Sequence, residues 1–259
     1  MKYIENEIKQ KLKEIEQKEN VKILFAVESG SRAWGFESPD SDYDVRFVYV
    51  RKLEDYLLLK PKRDVIEWQL DETLDINGWD IQKTLKLIYK SNPTIFEWLE
   101  SPIVYYKTKE YNKLKKIVKS YFICKNGVHH YLHMAERNNR EYLQDDYVKL
   151  KKYFYVLRPL LAAKWIIDKG TNPPMLFDDL VEAELDKSIK PVVDKLLEKK
   201  KQTSELGKDK KIKKLNDYID KEIVLLNNQL SSIKDNKNDY SKLNKYFKSL
   251  FNLVFQITI

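Results

Sequence analysis

The sequence contains a single cysteine, Cys124, among its 259 residues. One cysteine cannot form an intramolecular disulfide or a metal site built from several thiolates, so we expect a reducing compartment. No apolar segment follows Met1 and Lys2, and no stretch of about 18 apolar residues occurs. We therefore expect neither secretion nor a membrane span, and we predict a cytoplasmic protein without a membrane partner.

Glycine is also scarce, and its placement is uneven. Only six glycines serve the whole chain, yet Gly30 and Gly35 lie close together in one short segment. Because glycine alone adopts left-handed backbone conformations at little cost and lets other groups approach closely, this local density indicates a loop of special geometry.

The excess of positive charge is modest. Lys and Arg number 48 against 40 Asp and Glu, which gives a formal net charge of +8, and much of the excess is lysine in the C-terminal half. This balance favours polyanionic partners such as nucleotides or RNA. A solvated lysine-rich surface explains it as well, because runs of charge are usually solvated faces.

Strand-like runs are concentrated in the first hundred or so residues, whereas helical spacing dominates the rest. The predicted elements are a helix over 4–17, strands over 21–27 and 43–50, a hairpin from 65–70 to 74–79, a helix from Asp80 to Leu87, and later helices over 114–121, 129–143 and 148–168. The lysine-rich stretch 185–230 is expected to form a helical hairpin around Gly207. We predict an α+β fold with a mixed-sheet core over 1–108 and an all-helical domain over 109–259.

The segment with the clearest chemistry is residues 30–44. A predicted strand leads into Gly30 and Ser31, and the next strand carries Asp42 and Asp44. Residues separated by one position in a strand point to the same face, so the two carboxylates would lie side by side. Carboxylate oxygens together with substrate phosphates suit Mg²⁺. Gly30 would let phosphates approach the backbone, and Ser31 could add a hydroxyl and an N–H. The alternative is an ordinary turn followed by solvated aspartates.

With these residues, the chain resembles the nucleotidyltransferase superfamily that includes DNA polymerase beta, whose signature is a Gly-Ser turn followed by Asp-x-Asp. More narrowly, it is similar to a bacterial and phage family of nucleotidyltransferases linked to RNA repair. The narrower resemblance spans roughly residues 25–177 and rests on these segments: 30–35, 38–46, 77–80, 90–93, 97–99, 130–132 and 152–161.

The resemblance implies a nucleotidyltransferase-type sheet and a metal-dependent reaction. A nucleoside monophosphate would pass from a nucleoside triphosphate such as ATP to an acceptor, with Mg²⁺, or Mn²⁺ in its place, on Asp42 and Asp44. Members of the superfamily usually carry a third carboxylate on a neighbouring strand, and both Asp75 and Asp80 compete for this catalytic role. We favour Asp75 as the third metal ligand, because Asp80 lies at a predicted helix start, where it has a capping explanation.

Four cationic residues are weaker candidates for nucleotide binding: Arg32, Arg46, Lys152 and Arg158. Arg32 and Arg46 could neutralise phosphate charge, although Arg46 could instead pair with Asp44 or another acidic neighbour. Lys152 and Arg158 lie six positions apart on a predicted helix and could reach a common groove. Both could equally be surface cations or ion-pair partners.

The acceptor is left open by the sequence. The resemblance to an RNA-repair family and the basic charge favour an RNA end, particularly a tRNA-like end. A protein side chain is the alternative within the same chemistry, as in the related antitoxin nucleotidyltransferases. A different class of function is a nucleotide- or RNA-binding module that has lost catalysis.

Overall fold

The computed structural model describes residues 2–39, 41–69, 73–202, 207–234 and 236–254. Three parts of the sequence predictions lie outside these residues. They are Asp40 in the Gly-Ser to Asp-x-Asp segment, Leu70 at the end of the predicted hairpin strand, and residues 203–206 within the lysine-rich stretch.

The N-terminal part of the chain alternates helices and strands. Its elements are α1 (Lys2–Glu19), β1 (Lys22–Ser29), α2 (Gly30–Ala33), β2 (Tyr43–Val50), α3 (Leu53–Tyr56), β3 (Val65–Gln69), β4 (Leu74–Asp80), α4 (Ile81–Tyr89), α5 (Pro93–Glu100) and β5 (Val104–Lys107). The five strands form one sheet in the order β3-β4-β2-β1-β5. Strands β2 and β4 run parallel, and the other neighbours are antiparallel. The predicted mixed-sheet core is therefore confirmed.

The remaining elements are mostly helical. They are α6 (Lys109–Val118), α7 (Cys124–Tyr142), β6 (Tyr147–Lys149), α8 (Lys152–Lys169), α9 (Phe177–Glu184), α10 (Lys190–Gln202), β7 (Lys208–Lys210), α11 (Lys213–Leu230) and α12 (Ser241–Val254). The helix predicted over 148–168 begins later, at Lys152, because residues 147–149 pair with β7 as a two-stranded sheet. This part of the chain is therefore not entirely helical, and β7 lies between the two helices of the lysine-rich stretch.

Both faces of the five-stranded sheet are covered by apolar side chains. On one face, Ile8 and Ile15 of α1 pack with Phe47 and Ile76 of the sheet. On the other face, Val48 and Val50 join a cluster that includes residues of α4, α5, α6 and α12. Helices α6 and α12 follow residue 108 in sequence yet pack on the core sheet, so the division at that residue stays a prediction.

A separate apolar cluster holds α7, α8, α9 and α11 together. The loop after α2 reaches into this cluster. Phe36 is 1% exposed and stacks on Phe154 of α8, with ring centroids 5.2 Å apart. Phe177 contacts the Phe36 ring edge to face, with ring centroids 5.3 Å apart. The loop between β1 and β2 is thus anchored in the helical cluster. No helix among the described residues is long and apolar enough to cross a membrane.

Candidate active site

The Gly-Ser turn lies where β1 leaves the sheet. Strand β1 ends at Ser29, and the short helix α2 begins at Gly30, whose φ is +62°. A Cβ atom placed on Gly30 would lie only 2.1 Å from Oδ2 of Asp44. Glycine is therefore required at this position for two reasons: the left-handed backbone and the close approach of a carboxylate.

Three neighbouring strands bring the turn and two carboxylates side by side. Ser29 pairs with Asp44 across β1 and β2, and Asp44 pairs with Asp75 across the parallel strands β2 and β4. Asp42 is exposed and directly precedes β2. Burial raises the pKa of Asp44, and the negative charges of Asp75 and Asp42 raise it further, whereas Arg46 lowers it. These three carboxylates therefore interact electrostatically.

Arg46 lies between two of the carboxylates. Its Nη2 is 2.8 Å from Oδ1 of Asp44 and 2.8 Å from Oδ2 of Asp75. Its Nη1 donates to the backbone carbonyls of Val45, at 3.2 Å, and Asp75, at 3.1 Å. The pairing of Arg46 with Asp44, one of the two alternatives from the sequence, is thus present. The guanidinium offsets the repulsion that would otherwise disfavour two ionised carboxylates so close together.

The carboxylates suit a hard divalent cation whose remaining coordination positions are filled by substrate and water oxygens. Within the described ranges, no three His, Cys, Asp or Glu side chains form a ready metal cage. Mg²⁺ does not need one, because it binds through one or two carboxylates and takes phosphate and water oxygens for its other positions. Asp42 and Asp44 can supply that pair. The Asp44 carboxylate also faces the backbone of Gly30, where phosphates would have to approach.

Asp80 is not brought to these carboxylates. It lies five positions after Asp75, pairs with Tyr49 across β2 and β4, and is 4% exposed. Its Oδ1 accepts from the backbone N–H of Gln82 at 2.7 Å, and its Oδ2 accepts from the Tyr56 hydroxyl at 2.8 Å. The predicted N-cap of α4 is confirmed. Because its carboxylate is occupied at the far end of β4, the structure gives Asp80 a capping position and none beside Asp42 and Asp44.

Arg32 holds the loop that precedes β2. Its Nη2 donates to the carbonyl of Ser41 at 2.6 Å, and its Nε donates to the carbonyl of Asp42 at 3.1 Å. The guanidinium also stacks over the Tyr43 ring at 3.8 Å. These contacts fix the backbone that presents Asp42, so the observed position of Arg32 is a structural one. Ser31 lies beside it, half-buried, and its carbonyl accepts from the N–H of Phe36 at 3.2 Å.

Glu28 is a functional candidate that the sequence reasoning missed. It is fully buried at the end of β1, and its Oε1 accepts from the backbone N–H of Asp44 at 2.8 Å. The Tyr105 hydroxyl donates to Oε2, and the Ser101 hydroxyl donates to the Glu28 carbonyl. Burial raises the pKa of Glu28 to about 7, although these hydrogen bonds to its carboxylate oppose the shift. Its signal in the sequence was an acidic residue directly after an apolar strand-like run.

Helix α8 places a tyrosine within the electrostatic influence of the aspartates. Burial raises the pKa of Tyr155, and the charges of Asp44 and Asp42 raise it further, so its hydroxyl lies within their electrostatic reach. Lys152 Nζ lies 5.1 Å from the Tyr155 ring and 3.7 Å from the Tyr142 ring. Lys152 thus lies over one aromatic ring of α7 and one of α8, and its predicted role in nucleotide binding stays a prediction. Tyr155 was not singled out from the sequence.

Arg158 is buried behind the Gly-Ser turn. It is 4% exposed, its Nη1 is 2.9 Å from Oε1 of Glu97, and its guanidinium lies 4.4 Å from the Trp34 ring. The Tyr131 hydroxyl donates to the same Glu97 oxygen at 2.6 Å. Of the two sequence-based alternatives, the ion pair is the one present. Arg158 supports Trp34, and with it the loop after Gly30, from inside the protein.

The chain matches a known protein family over nearly its whole length. Residues 4–249 match the family described as the RNA repair pathway DNA polymerase beta family, a match wider than the 25–177 span of the resemblance read from the sequence. The "Uncharacterized protein YcgL" of Bacillus subtilis (strain 168) is 47% identical over 237 residues, which cover 90% of this chain and 91% of that protein.

Among solved structures, a nucleotidyltransferase-like protein from Exiguobacterium sibiricum 255-15 is 14% identical, with a TM-score of 0.33, and the alignment covers 97% of this chain and 81% of that one. The family match spans nearly all of the sequence, from the first helix to the last. The chain belongs to the RNA repair pathway DNA polymerase beta family.

Proposed function

We propose that this chain is a Mg²⁺-dependent nucleotidyltransferase that transfers a nucleoside monophosphate from a nucleoside triphosphate to the end of an RNA, particularly a tRNA-like end. The observation that carries the proposal is the pairing of Ser29, Asp44 and Asp75 across three adjacent strands, with Gly30 directly after Ser29 and against the Asp44 carboxylate. This arrangement combines a backbone that phosphates can approach with one carboxylate that can bind a metal ion and another that can accept a proton. Cytoplasmic location, preference for ATP and use of Mn²⁺ stay predictions.

In the proposed reaction, an acceptor hydroxyl oxygen attacks the α-phosphorus, the bond to the bridging oxygen breaks, and pyrophosphate leaves. Mg²⁺ held by Asp42 and Asp44 would neutralise the charge that develops on the phosphate oxygens. Gly30 and Ser31 would place the β- and γ-phosphates against the backbone. Because the Gly30 backbone lies against Asp44, the triphosphate would be held beside that carboxylate.

Asp75 is the carboxylate we assign to the acceptor side. Its side chain is 52% exposed, so an acceptor hydroxyl can reach it, and it lies directly beside Asp44. It would take the proton from the attacking oxygen as a general base. Arg46 contacts an oxygen of each carboxylate at 2.8 Å. Burial raises the pKa of Asp44, and the charge of Arg46 opposes this shift, which favours the ionised form that a metal ligand requires.

Glu28 is a positioning residue in this scheme. Its carboxylate holds the backbone N–H of Asp44 from the opposite side of the strand, and Tyr105 fixes the carboxylate in turn. Because Glu28 and Tyr105 are both buried, this contact holds the Asp44 backbone from inside the sheet. Preorganisation of this kind lowers the cost of assembling a site.

The experiment that tests the proposal is incubation of the protein with labelled nucleoside triphosphates and either total RNA or cell protein, with pyrophosphate release measured in parallel. We expect divalent-metal-dependent labelling of RNA that is lost in Asp44→Asn and kept in Asp80→Asn, which retains a capping oxygen. Labelling of protein alone would identify the antitoxin-like alternative.

A binding module without transfer is the second candidate, and the Arg46 bridge is the observation that favours it. A guanidinium between Asp44 and Asp75 satisfies two carboxylates that catalysis would need. Nucleotide binding without pyrophosphate release, with any nucleoside triphosphate or divalent metal, would support this candidate over the transferase.

A further inference from the structure

The small sheet formed by β6 and β7 carries a lysine-rich face beside the candidate active site. We propose that this face binds the backbone of a single-stranded RNA and leads its end to the aspartates. We call the face, made of Tyr147, Lys149, Lys208 and Lys210, the lysine ribbon. The inference rests on the proposed function, because it names the surface that would hold the acceptor.

The pairing of the two strands defines the ribbon. Tyr147 pairs with Lys210, and Lys149 pairs with Lys208. Directly opposed residues of an antiparallel pair project from the same face, and alternate residues project from the other. Val148 is 2% exposed and packs in the helical cluster, so its face points inward. The ribbon therefore points to solvent, where Tyr147 is 56% exposed and the three lysines are exposed.

The ribbon lysines lie close to one another. Lys149 lies directly opposite Lys208, and like charges in that position destabilise a strand pair. In the part of the chain that the structure describes, none of the three lysines forms an ion pair. Two neighbouring acids contact other lysines, since Asp146 pairs with Lys211 at 3.2 Å and Asp209 faces Lys199 at 3.9 Å. A bound polyanion would remove this repulsion.

The ribbon is continuous with the candidate active site. Strand β6 ends at Lys149, and α8 begins three residues later with Lys152. Lys152 Nζ lies 5.1 Å from the Tyr155 ring, and that ring meets the ring of Trp34, which follows the Gly-Ser turn, with centroids 6.4 Å apart. Cations and aromatic rings thus run from the ribbon to the Gly-Ser turn.

The composition of the ribbon favours single-stranded nucleic acid over an acidic protein. Single-strand binders combine lysines or arginines that follow the phosphates with exposed aromatic rings on which bases stack. Tyr147 supplies such a ring among the three lysines. An acidic peptide would use the lysines but would gain little from the tyrosine.

The test compares two triple variants that remove the same charge. The first is Lys149→Gln/Lys208→Gln/Lys210→Gln. The matched control neutralises three exposed lysines of α1 and α6 in the same way: Lys9→Gln/Lys13→Gln/Lys116→Gln. Binding of a short fluorescent single-stranded RNA is measured over a range of salt concentrations, and binding of a fluorescent nucleoside triphosphate is measured separately. Circular dichroism checks that each variant is folded.

We expect the ribbon variant to lose at least about tenfold in RNA affinity, and its plot of log affinity against log salt to flatten by about 2, which is about 0.7 for each of three lost phosphate contacts. Tyr147→Ala should weaken RNA binding about tenfold while leaving binding of polyglutamate unchanged. The control triple variant should keep the RNA affinity and salt dependence of the unmodified protein. Nucleoside triphosphate binding should be unchanged in every variant.

Several results would overturn the ribbon proposal. They are equal losses in the control triple variant, RNA binding that is unchanged in the ribbon variant, and polyglutamate that competes as well as RNA. The proposed function can fail separately. If the unmodified protein binds RNA through the ribbon but transfers no nucleotide, the ribbon stands and the transferase does not. If transfer to RNA persists in the ribbon variant, the transferase stands and the ribbon does not.

Discussion

Replacing Gly30 by alanine should damage catalysis far more than stability. The substitution has two separate consequences in the structure. The backbone at Gly30 has a φ of +62°, which an alanine adopts only with strain. The added Cβ would also lie 2.1 Å from Oδ2 and 3.0 Å from Cγ of Asp44, well inside van der Waals contact.

The strain and the clash can be separated with a second glycine. Gly170 ends α8 with a φ of +67°, and a Cβ there would meet nothing within 4 Å. Gly170→Ala should therefore report the backbone strain alone, which costs about 1–2 kcal/mol. At Gly30 the same strain is accompanied by displacement of a carboxylate. The Asp44 side chain can move away by rotation, so this second effect should add little to the loss of stability.

Displacement of Asp44 should be costly for the reaction. The carboxylate would have to retreat by about 1 Å to reach normal contact, which would disturb its 2.8 Å bond to Arg46. A misplacement of about 1 Å can lower a rate about 100-fold. We therefore expect both variants to lose about 1–2 kcal/mol of unfolding free energy, with melting temperatures lower by about 2–4 °C per kcal/mol. Only Gly30→Ala should lose about 100-fold in turnover.

The assay is pyrophosphate release at saturating nucleotide, with thermal unfolding of the same samples. Turnover of Gly30→Ala within a few-fold of the unmodified protein would refute the role of the close approach to Asp44. An equal loss of turnover in Gly170→Ala would refute it as well, because strain in a distant helix end would then account for the effect.

Three further predictions follow from individual side chains. Asp75→Asn should lower turnover by about 10²-fold or more while nucleotide affinity is kept. Asp80→Ala should keep turnover and lose about 1–2 kcal/mol of unfolding free energy from the lost cap. The reverse pattern would give the catalytic role to Asp80. Glu97→Ala should cost about 3–5 kcal/mol in urea denaturation, because it leaves the Arg158 guanidinium buried without its partner; a cost below about 1 kcal/mol would contradict this. Burial lowers the pKa of His130, so its neutral form is favoured in the folded protein and its contribution is lost as pH falls through about 6.5. In chemical denaturation, the free energy of unfolding of the unmodified protein should therefore decrease relative to that of His130→Gln between about pH 7.5 and 5.5. A difference between the two proteins that does not vary with pH would contradict the lowered pKa of His130.

The local parts of the site could be predicted from the sequence. Period-two alternation located the strand that carries Asp44 and directly follows Asp42, and the closeness of Gly30 to Gly35 marked the special loop. Asp75 was assigned to a strand for the same reason. Its exact neighbour could not be known, because the parallel pairing of β2 with β4 depends on contacts between segments about thirty residues apart.

The parts that could not be predicted depend on long-range packing. Glu28 lies among apolar strand residues, and only the fold shows that its carboxylate holds the Asp44 backbone. Strand β6 was assigned to a helix because three residues carry too little periodicity, and its partner β7 lies about sixty residues later. Tyr155 approaches the aspartates only when α8 packs beside the core. In each case, the neighbour that defines the residue's role is distant in sequence.

The helical half of the chain determines the shape of the Gly-Ser turn as well as covering it. Two residues that follow the turn, Trp34 and Phe36, pack against Arg158 and Phe154 of α8. In addition, the carbonyl of Trp34 accepts from the N–H of Phe177 at 2.9 Å. Because these anchors begin four residues after Gly30, a shift of α8 would be transmitted to the backbone against which Asp44 is placed. Helix α8 also carries Lys152 and Tyr155, so a shift of this helix would move these two side chains together with the turn.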